Sequence, residues 1–310
     1  MSEPIVSIII PTQRRPRSLE RAARSCFGQV GVDAGALELI VIDNDEHGSA
    51  RPIAEALAAE APFPLRYIHE PRPGVANARN AGVAAVRGRF IAFLDDDEEA
   101  SEGWIAALCD VQRRFEADLV FGPVRARIPE NIRDHRAYLE HFFSRSDRAG
   151  EGLIDHYHGC GDSLVRRAAL PNRRLPFSEG RNRIGGEDDL LFSEMQGAAA
   201  RIAWAPAAWV WEDPAPERIN LRYAIRRAFV YGQGAPNNCA HAFPPDRLGV
   251  AGWMLQGLAQ AAIFGLLAGA QWVIRTPQRA FTLDRAARGL GKTFWWSPFK
   301  VQLYGLPAPP

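Results

Sequence analysis

Cysteine is scarce in this 310-residue chain, and the four present, Cys26, Cys109, Cys160 and Cys239, stand far apart with no paired spacing. That distribution argues against a disulfide framework and suits reduced thiols in the cytoplasm. Net charge is nearly absent too, with 37 Lys and Arg against 36 Asp and Glu. The overall balance therefore gives no reason to expect a nucleic-acid partner. Internal repeats and low-complexity tracts are missing, which removes solenoid and disordered-linker architectures. The start has no basic stretch followed by an apolar one, so a secretory signal is not expected and the chemistry is expected to stay in the cytoplasm. What is plentiful is apolar surface: 47% of the residues are hydrophobic, enough to bury a full core.

The densest feature is Phe90-Ile91-Ala92-Phe93-Leu94 running straight into Asp95-Asp96-Asp97-Glu98-Glu99. The apolar part has the composition of a buried strand, so the acids are expected to emerge together at its carboxyl end, where open α/β sheets place their ligands. Crowded carboxylates raise one another's pKa unless a cation neutralises them. Oxygen ligands of this kind suit Mg²⁺ or Mn²⁺ held together with substrate phosphates. A solvated acidic turn before a helix is the plain alternative, because acids favour helix N-termini.

Around this run, strand-like and helix-like segments alternate. Strands are expected over Ile5–Ile10, Leu37–Ile42, Leu65–His69, Arg89–Leu94 and Leu119–Val124. Helices are expected over Ser18–Gln29 with Ser18 as N-cap, Arg51–Glu60, Val75–Val86 and Trp104–Phe115. This order predicts an α/β fold with a mostly parallel sheet flanked by helices, whose strand ends share one edge. From Arg125 to Arg183 the pattern is irregular and rich in Arg, His and Gly, as in loops around a site. Gly185-Gly186-Glu187-Asp188-Asp189 then opens a helix to about Gly197, followed by a strand over Arg201–Val210 and a helix with a basic face over Asn220–Tyr231. His156, His158 and Cys160 have the residue types of a zinc cluster, but no second Cys or His pair completes one.

From Gly249 to Ile274 the chain carries no charge for 26 residues, and Arg275, Arg279, Arg285, Arg288, Lys292 and Lys300 follow with Trp295-Trp296. The stretch is long enough to span a bilayer, but Gln256, Gln260 and Gln271 dilute it. A hairpin, a helix lying in the interface, or one buried in a soluble oligomer fits as well. The basic and aromatic residues beyond it suit anionic headgroups. A division follows: residues 1–235 as the α/β domain, and 236–310 as an apolar helical region associated with the inner face of a membrane.

Several motifs in order resemble the inverting family 2 glycosyltransferases of the GT-A fold. They are Ser7-Ile8-Ile9-Ile10-Pro11-Thr12, Val41-Ile42-Asp43-Asn44-Asp45, Gly74-Val75-Ala76-Asn77-Ala78-Arg79-Asn80-Ala81-Gly82, Leu94-Asp95-Asp96-Asp97 and Gly186-Glu187-Asp188-Asp189-Leu190. A D-x-D triplet alone is a weak signal, whereas the ordered set is far more specific. The resemblance implies a nucleotide-diphosphate sugar lying across the strand ends. Pro11 and Thr12 would border the nucleoside, and Asp43 would accept from the base, with Asp45 beside it. Arg79 would lie near the base or phosphates, and Asp95 would approach the ribose, with Asp96 beside it. Asp97 would ligate Mg²⁺ or Mn²⁺. Asp188 would be the general base, with Glu187 and Asp189 orienting the acceptor. Each also has a plain reading: Asp43 as the cap of its turn, Arg79 as a surface partner of Asp45, and Glu187 and Asp188 as helix caps.

Within that family, Asp43-Asn44-Asp45, His69-Glu70-Pro71-Arg72-Pro73-Gly74, Phe121-Gly122-Pro123-Val124 and Arg226-Arg227-Ala228-Phe229 are similar to succinoglycan-type exopolysaccharide glucosyltransferases. This implies a UDP-sugar donor and a saccharide acceptor on a lipid carrier. Two positions depart from the family pattern. Trp211-Glu212-Asp213 stands where many relatives have a His, making Glu212 the candidate substitute, and Gly161-Asp162 stands where Gly-Asn is common, which puts Asp162 among the acceptor-side candidates. A nucleotidyltransferase is the competing enzyme class, although Thr12-Gln13-Arg14-Arg15-Pro16-Arg17 lacks the glycines of its phosphate loop. A non-catalytic glycan-binding protein is the third.

Overall fold

The computed structural model describes residues 5–147, 150–172, 174–182, 185–242 and 244–301. Arg183 and the outer limits of the expected division, residues 1 and 310, lie outside them. Two compact units emerge: residues 1–127 with 144–213, and residues 128–143 with 214–310. The expected boundary at 235 falls inside a continuous helix, Leu221–His241, and the units divide after Asp213 instead.

The first unit runs β1 (Val6–Thr12), α1 (Pro16–Phe27), β2 (Leu37–Asp43), α2 (Arg51–Glu60), β3 (Leu65–His69), α3 (Val75–Ala85), β4 (Phe90–Phe93), β5 (Glu98–Ala100), α4 (Trp104–Phe115), β6 (Leu119–Phe121) and β7 (Val124–Ala126). After α5 (Arg136–Phe143), which belongs to the second unit, come β8 (Gly152–Ile154), β9 (Ser163–Arg166), α6 (Glu187–Gly197), β10 (Ile202–Trp204) and β11 (Val210–Glu212). Eight strands form one sheet in the order β3-β2-β1-β4-β9-β6-β10-β8, and β5-β11-β7 form a second. The β3-β2-β1-β4 part is parallel as expected, but β9 enters antiparallel between β4 and β6, so the sheet is mixed.

Alternation along β1 builds both layers of the core. Ile8 and Ile10 pack with Leu19, Leu57, Trp104 and Leu108. Ile9 faces the opposite way, toward Val83 and Phe192. Burial of each such side chain is worth about 1.5–3 kcal/mol, which fixes the strand's facing.

Two expected strands are each divided by proline. Between β6 and β7 stand Gly122 and Pro123, and between β10 and β11 stands Pro206. A proline cannot donate to a central ladder, so the chain leaves the large sheet and re-pairs in the small one. The acid run divides as well: Asp95–Asp97 form a turn, while Glu98 and Glu99 enter β5 opposite Glu212 and Trp211. Helix α1 begins at Pro16 with Arg15 as N-cap, ahead of the expected Ser18, because proline is preorganised for the first helical position.

In the second unit, α7 (Leu221–His241), α8 (Arg247–Val273) and α9 (Arg279–Thr293) join α5. The helices approach backbone to backbone through glycine: a Cβ on Gly232 would strike the Arg288 carbonyl, and one on Gly257 would lie 2.6 Å from the Gly289 carbonyl. The buried Asp284 carboxylate accepts from Tyr138 Oη at 3.0 Å and from Arg288 Nε at 2.7 Å. Helix α8 is long and apolar enough to cross a membrane by length and composition, and of its residues only Gly257 and Ala268 are buried.

Candidate active site

Parallel pairing of β1 with β2 and β4 sets the site, because Thr12 registers with Asp43 and the acid turn leaves the end of β4 beside them. Thr12 Oγ1 donates to Asp96 Oδ2 at 2.7 Å. One Arg15 nitrogen lies 3.1 Å from Asp96 Oδ1 and 3.0 Å from Asp97 Oδ2. Burial raises the Asp96 carboxyl above its usual range despite Arg15 and Thr12. Asp97 is pushed up to about 6 by burial and then by Asp95 and Asp96, with Arg15 pulling the other way. Negative charge is therefore only partly compensated at this turn, and the donors are all oxygens. That combination fits a hard divalent cation.

Glu98 and Asp162 extend the acid cluster inward. Glu98 Oε2 accepts from the Asp95 backbone N–H at 2.9 Å, and burial followed by repulsion from Asp95 and Asp162 holds its carboxyl well above the ordinary range. Asp162 is fully buried, accepts from Trp104 Nε1 at 2.7 Å and faces Arg145 at 3.5 Å. Burial pushes it up to about 7 against those two partners. A residue closed off in this way cannot touch an acceptor, so the acceptor-side expectation for Asp162 is corrected to a place in the core beneath the site.

On β2, the carboxylate expected to accept from a base also braces its own loop. Asp43 Oδ1 receives the Asp45 N–H at 3.0 Å, and Oδ2 receives the Ala50 N–H at 2.6 Å and Tyr67 Oη at 2.9 Å. Through these bonds Asp43 shapes the turn. Asp45 pairs with Arg14 at 2.6 Å, so the alternative pairing with Arg79 does not form. Pro11 lies beside Ile42 in the same ladder.

Arg79, buried on α3, reaches both remaining parts of the site. Its guanidinium pairs with Asp95 Oδ1 at 3.1 Å and with Glu187 Oε1 in a short contact. It is thus held between the acids at the end of β4 and the start of α6. Glu187 is the first residue of α6, and burial raises its carboxyl while Arg79 opposes the rise. Gly185 and Gly186, at φ 76° and 75°, make the left-handed turn that brings the start of α6 in, a conformation glycine adopts without steric cost. Asp188 is half-buried; its Oδ2 accepts from the Cys160 N–H at 3.1 Å and its Oδ1 from the Asp189 N–H at 2.9 Å. Asp189 points to solvent on the outer side. Glu212 sits in β11 opposite Glu98, and the next residue, Asp213, donates its N–H to the Asp97 carbonyl at 2.9 Å.

Asp95, Asp96, Asp97, Thr12, Arg79, Glu187 and Asp188 are therefore linked through direct contacts and one continuous turn. Three participants were not among the expected site residues. Arg15 compensates the acid turn, and the basic Arg14-Arg15 pair next to a strand end was the available signal. Glu98 was visible in the acid run but was not separated from it. Asn44 holds the neighbouring loop, donating to the Glu70 carbonyl at 2.9 Å and the Arg72 carbonyl at 2.7 Å and accepting from the Gly74 N–H at 2.9 Å.

Residues 7–173 match the model of glycosyl transferase family 2. The chain belongs to that family. It is 38% identical to the succinoglycan biosynthesis protein ExoM of Rhizobium meliloti (strain 1021) over 74% of this chain and 73% of ExoM. It is 28% identical to the pre-mycofactocin glycosyltransferase of Mycobacterium tuberculosis (strain CDC 1551 / Oshkosh), over 78% of this chain but only 48% of that protein. Among solved structures, S. aureus TarS 1-349 in complex with UDP superposes with a TM-score of 0.52 at 13% identity, covering 96% of this chain and 94% of that one. This likeness confirms the GT-A-type fold. The family 2 glycosyltransferase carries its acids at the carboxyl edge of β4 and at the start of α6.

Proposed function

We propose that this glycosyltransferase is metal-dependent and inverting, and moves a sugar from a UDP-sugar to a saccharide acceptor carried on a lipid. Its place would be exopolysaccharide or cell-surface glycan synthesis, on the cytoplasmic face of the inner membrane. The observation that carries this is the Arg79 bridge from Asp95, in the acid turn, to Glu187, the residue before Asp188. The name of ExoM and the UDP in the TarS complex support the glycan class and the nucleotide.

In this reading the diphosphate lies against Asp95–Asp97, with Mg²⁺ or Mn²⁺ held by Asp97. When bound, that ion offsets charge developing on the leaving phosphate. Thr12 and Arg15 hold Asp96 and Asp97 in place, and the loop shaped by Asp43 and Asn44 borders the nucleoside. Asp188 takes the proton from the acceptor hydroxyl as it attacks the anomeric carbon opposite the leaving diphosphate, so configuration inverts. Glu187, fixed by Arg79, orients the helix start, and Asp189 and Glu212 are left to the acceptor and donor margins.

For the lipid part of the acceptor, α7 and α9 offer an open apolar groove of about 770 Å³, formed by Ile225, Phe229, Leu283 and Leu290 with Arg222 and Arg226. Apolar walls with two arginines suit an acyl or prenyl chain bearing a phosphate. The nucleotidyltransferase reading is weakened because Arg14 and Arg15 are committed to carboxylates.

Thermal-shift measurements with UDP-, GDP- and dTDP-sugars, with and without Mn²⁺, test the donor assignment. UDP-sugars with Mn²⁺ are expected to give the largest rise in melting point, and the absence of any metal-dependent shift would reject it. The anomeric configuration of the product, read by NMR, tests inversion.

A further inference from the structure

We infer that Asp147, His156 and His158 form a second metal site, for Zn²⁺ or a similar borderline ion, chemically distinct from the oxygen-only site at Asp97. His156 Nε2 lies 2.7 Å and His158 Nε2 3.3 Å from Asp147 Oδ2, and the three potential ligand atoms lie within 4.8 Å of one another. Tetrahedral Zn²⁺ with bonds of about 2.0–2.1 Å separates its ligand atoms by roughly 3.4 Å, so a small adjustment suffices. Two imidazole nitrogens with one carboxylate oxygen select Zn²⁺, Co²⁺ or Ni²⁺ over Mg²⁺, and three protein ligands leave a fourth position open.

Two further observations fit a built site. His156 Nδ1 contacts Asp155 Oδ1 at 3.0 Å, the carboxylate–histidine arrangement that orients a metal-binding imidazole. The His158 ring is held with its centroid 5.6 Å from that of Phe121 and 5.1 Å from that of Trp204, both fully buried, so its orientation is set by the core. From the sequence, Cys160 is the residue grouped with the two histidines, in a set that nothing completes. Its thiol is instead buried, and Asp147, nine residues before His156, completes the set.

The segment leaving β8 carries both histidines and continues through Gly159 to Cys160, whose N–H donates to Asp188. A metal ion here clamps the segment that orients the proposed base. That consequence rests on the proposed role of Asp188; metal binding itself does not.

The test uses full-length protein without a histidine tag, stripped with chelator and titrated with Co²⁺ as a spectroscopic stand-in for Zn²⁺. One equivalent is expected to give the intense visible absorption of a tetrahedral site, displaced by Zn²⁺ and not by Mg²⁺. His156→Ala, at a half-exposed side chain, should abolish it; Asp155→Asn should weaken Zn²⁺ binding about 10–100-fold; Asp97→Asn should leave it intact. Absence of the absorption in folded parent protein, its persistence in His156→Ala, or its loss in Asp97→Asn would each overturn the inference.

Discussion

Arg79 and Glu187 pair within the core of the first unit, and the same guanidinium holds Asp95, so one side chain on α3 ties the end of β4 to the start of α6. Removing it leaves two carboxylates without their counter-charge. Breaking a buried pair from one side costs about 3–5 kcal/mol, because the remaining charge stays desolvated. Arg79→Met should therefore lower the urea midpoint strongly, while Arg79→Lys, with one point charge for two carboxylates, should fall between. A parent-like midpoint for Arg79→Met would show that the acids do not depend on it.

Asp97 makes metal binding depend on pH. Its folded-state carboxyl, at about 6, lies above the ordinary 3.8, so the native state binds the proton more tightly than the unfolded chain. Without metal, this group's contribution to stability declines as pH rises from about 4 to about 6. The metal needs the carboxylate, so Mn²⁺-dependent donor binding should fall as pH drops through about 6. Asp97→Asn should abolish that binding and flatten the metal-free stability profile. Calorimetric titration of a UDP-sugar with Mn²⁺ across pH 5–8 reads it directly, and near-parental metal-stimulated binding by the variant would remove Asp97 from the role.

Asp188→Asn keeps the shape of the side chain and one of its two acceptor oxygens but cannot take a proton. Donor binding should persist while transfer drops about 10²-fold or more, the usual scale for a lost general base. Single-turnover rates at saturating donor separate the two. An active variant would move the base to Glu187 or Asp189.

Asp162 gives a prediction with the opposite practical sign, a stabilising substitution. Its buried carboxyl titrates near 7 against an ordinary 3.8. At about 1.4 kcal/mol per unit, ionising it above neutrality costs the folded state a few kcal/mol. The stability this group confers in acid declines as pH rises from about 4 to about 7. Asp162→Asn, which can still accept from Trp104, should melt higher than the parent at pH 8 and show a flatter melting profile over that window. Lower stability at pH 8 would mean that the Arg145 interaction outweighs burial.

Much of this was legible in the sequence for a physical reason: helices α2 and α4 and strand β3 match their expected limits because local periodicity and flanking breakers set them. The ordered motifs located the acids. What the sequence did not reveal was decided by partners far along the chain. Nothing local marks Asp162 as buried against Trp104, Arg79 as held by Glu187, or β6 and β7 as members of different sheets. The bracing of its turn by Asp43 likewise depends on Tyr67 and Ala50, which arrive from outside the motif.

Membrane attachment is best tested by substitution in α8. Cutting the chain after Arg247 would also remove α9, whose backbone packs against Gly232 of α7, and would bare apolar surface unrelated to the membrane. Leu255 and Leu266 are 70% and 80% exposed and lie three helical turns apart on one face, so changing them should leave the fold intact. If that face enters a bilayer, each leucine contributes about 1.5–3 kcal/mol of burial there. The double variant Leu255→Asp/Leu266→Asp should then bind anionic vesicles at least about 100-fold more weakly at an unchanged melting point, given that loss and the cost of placing charge in the interface. Flotation assays on parent and variant decide it: equal flotation rejects insertion through this face, and a drop in melting point with the loss of an oligomer assigns α8 to a protein interface instead.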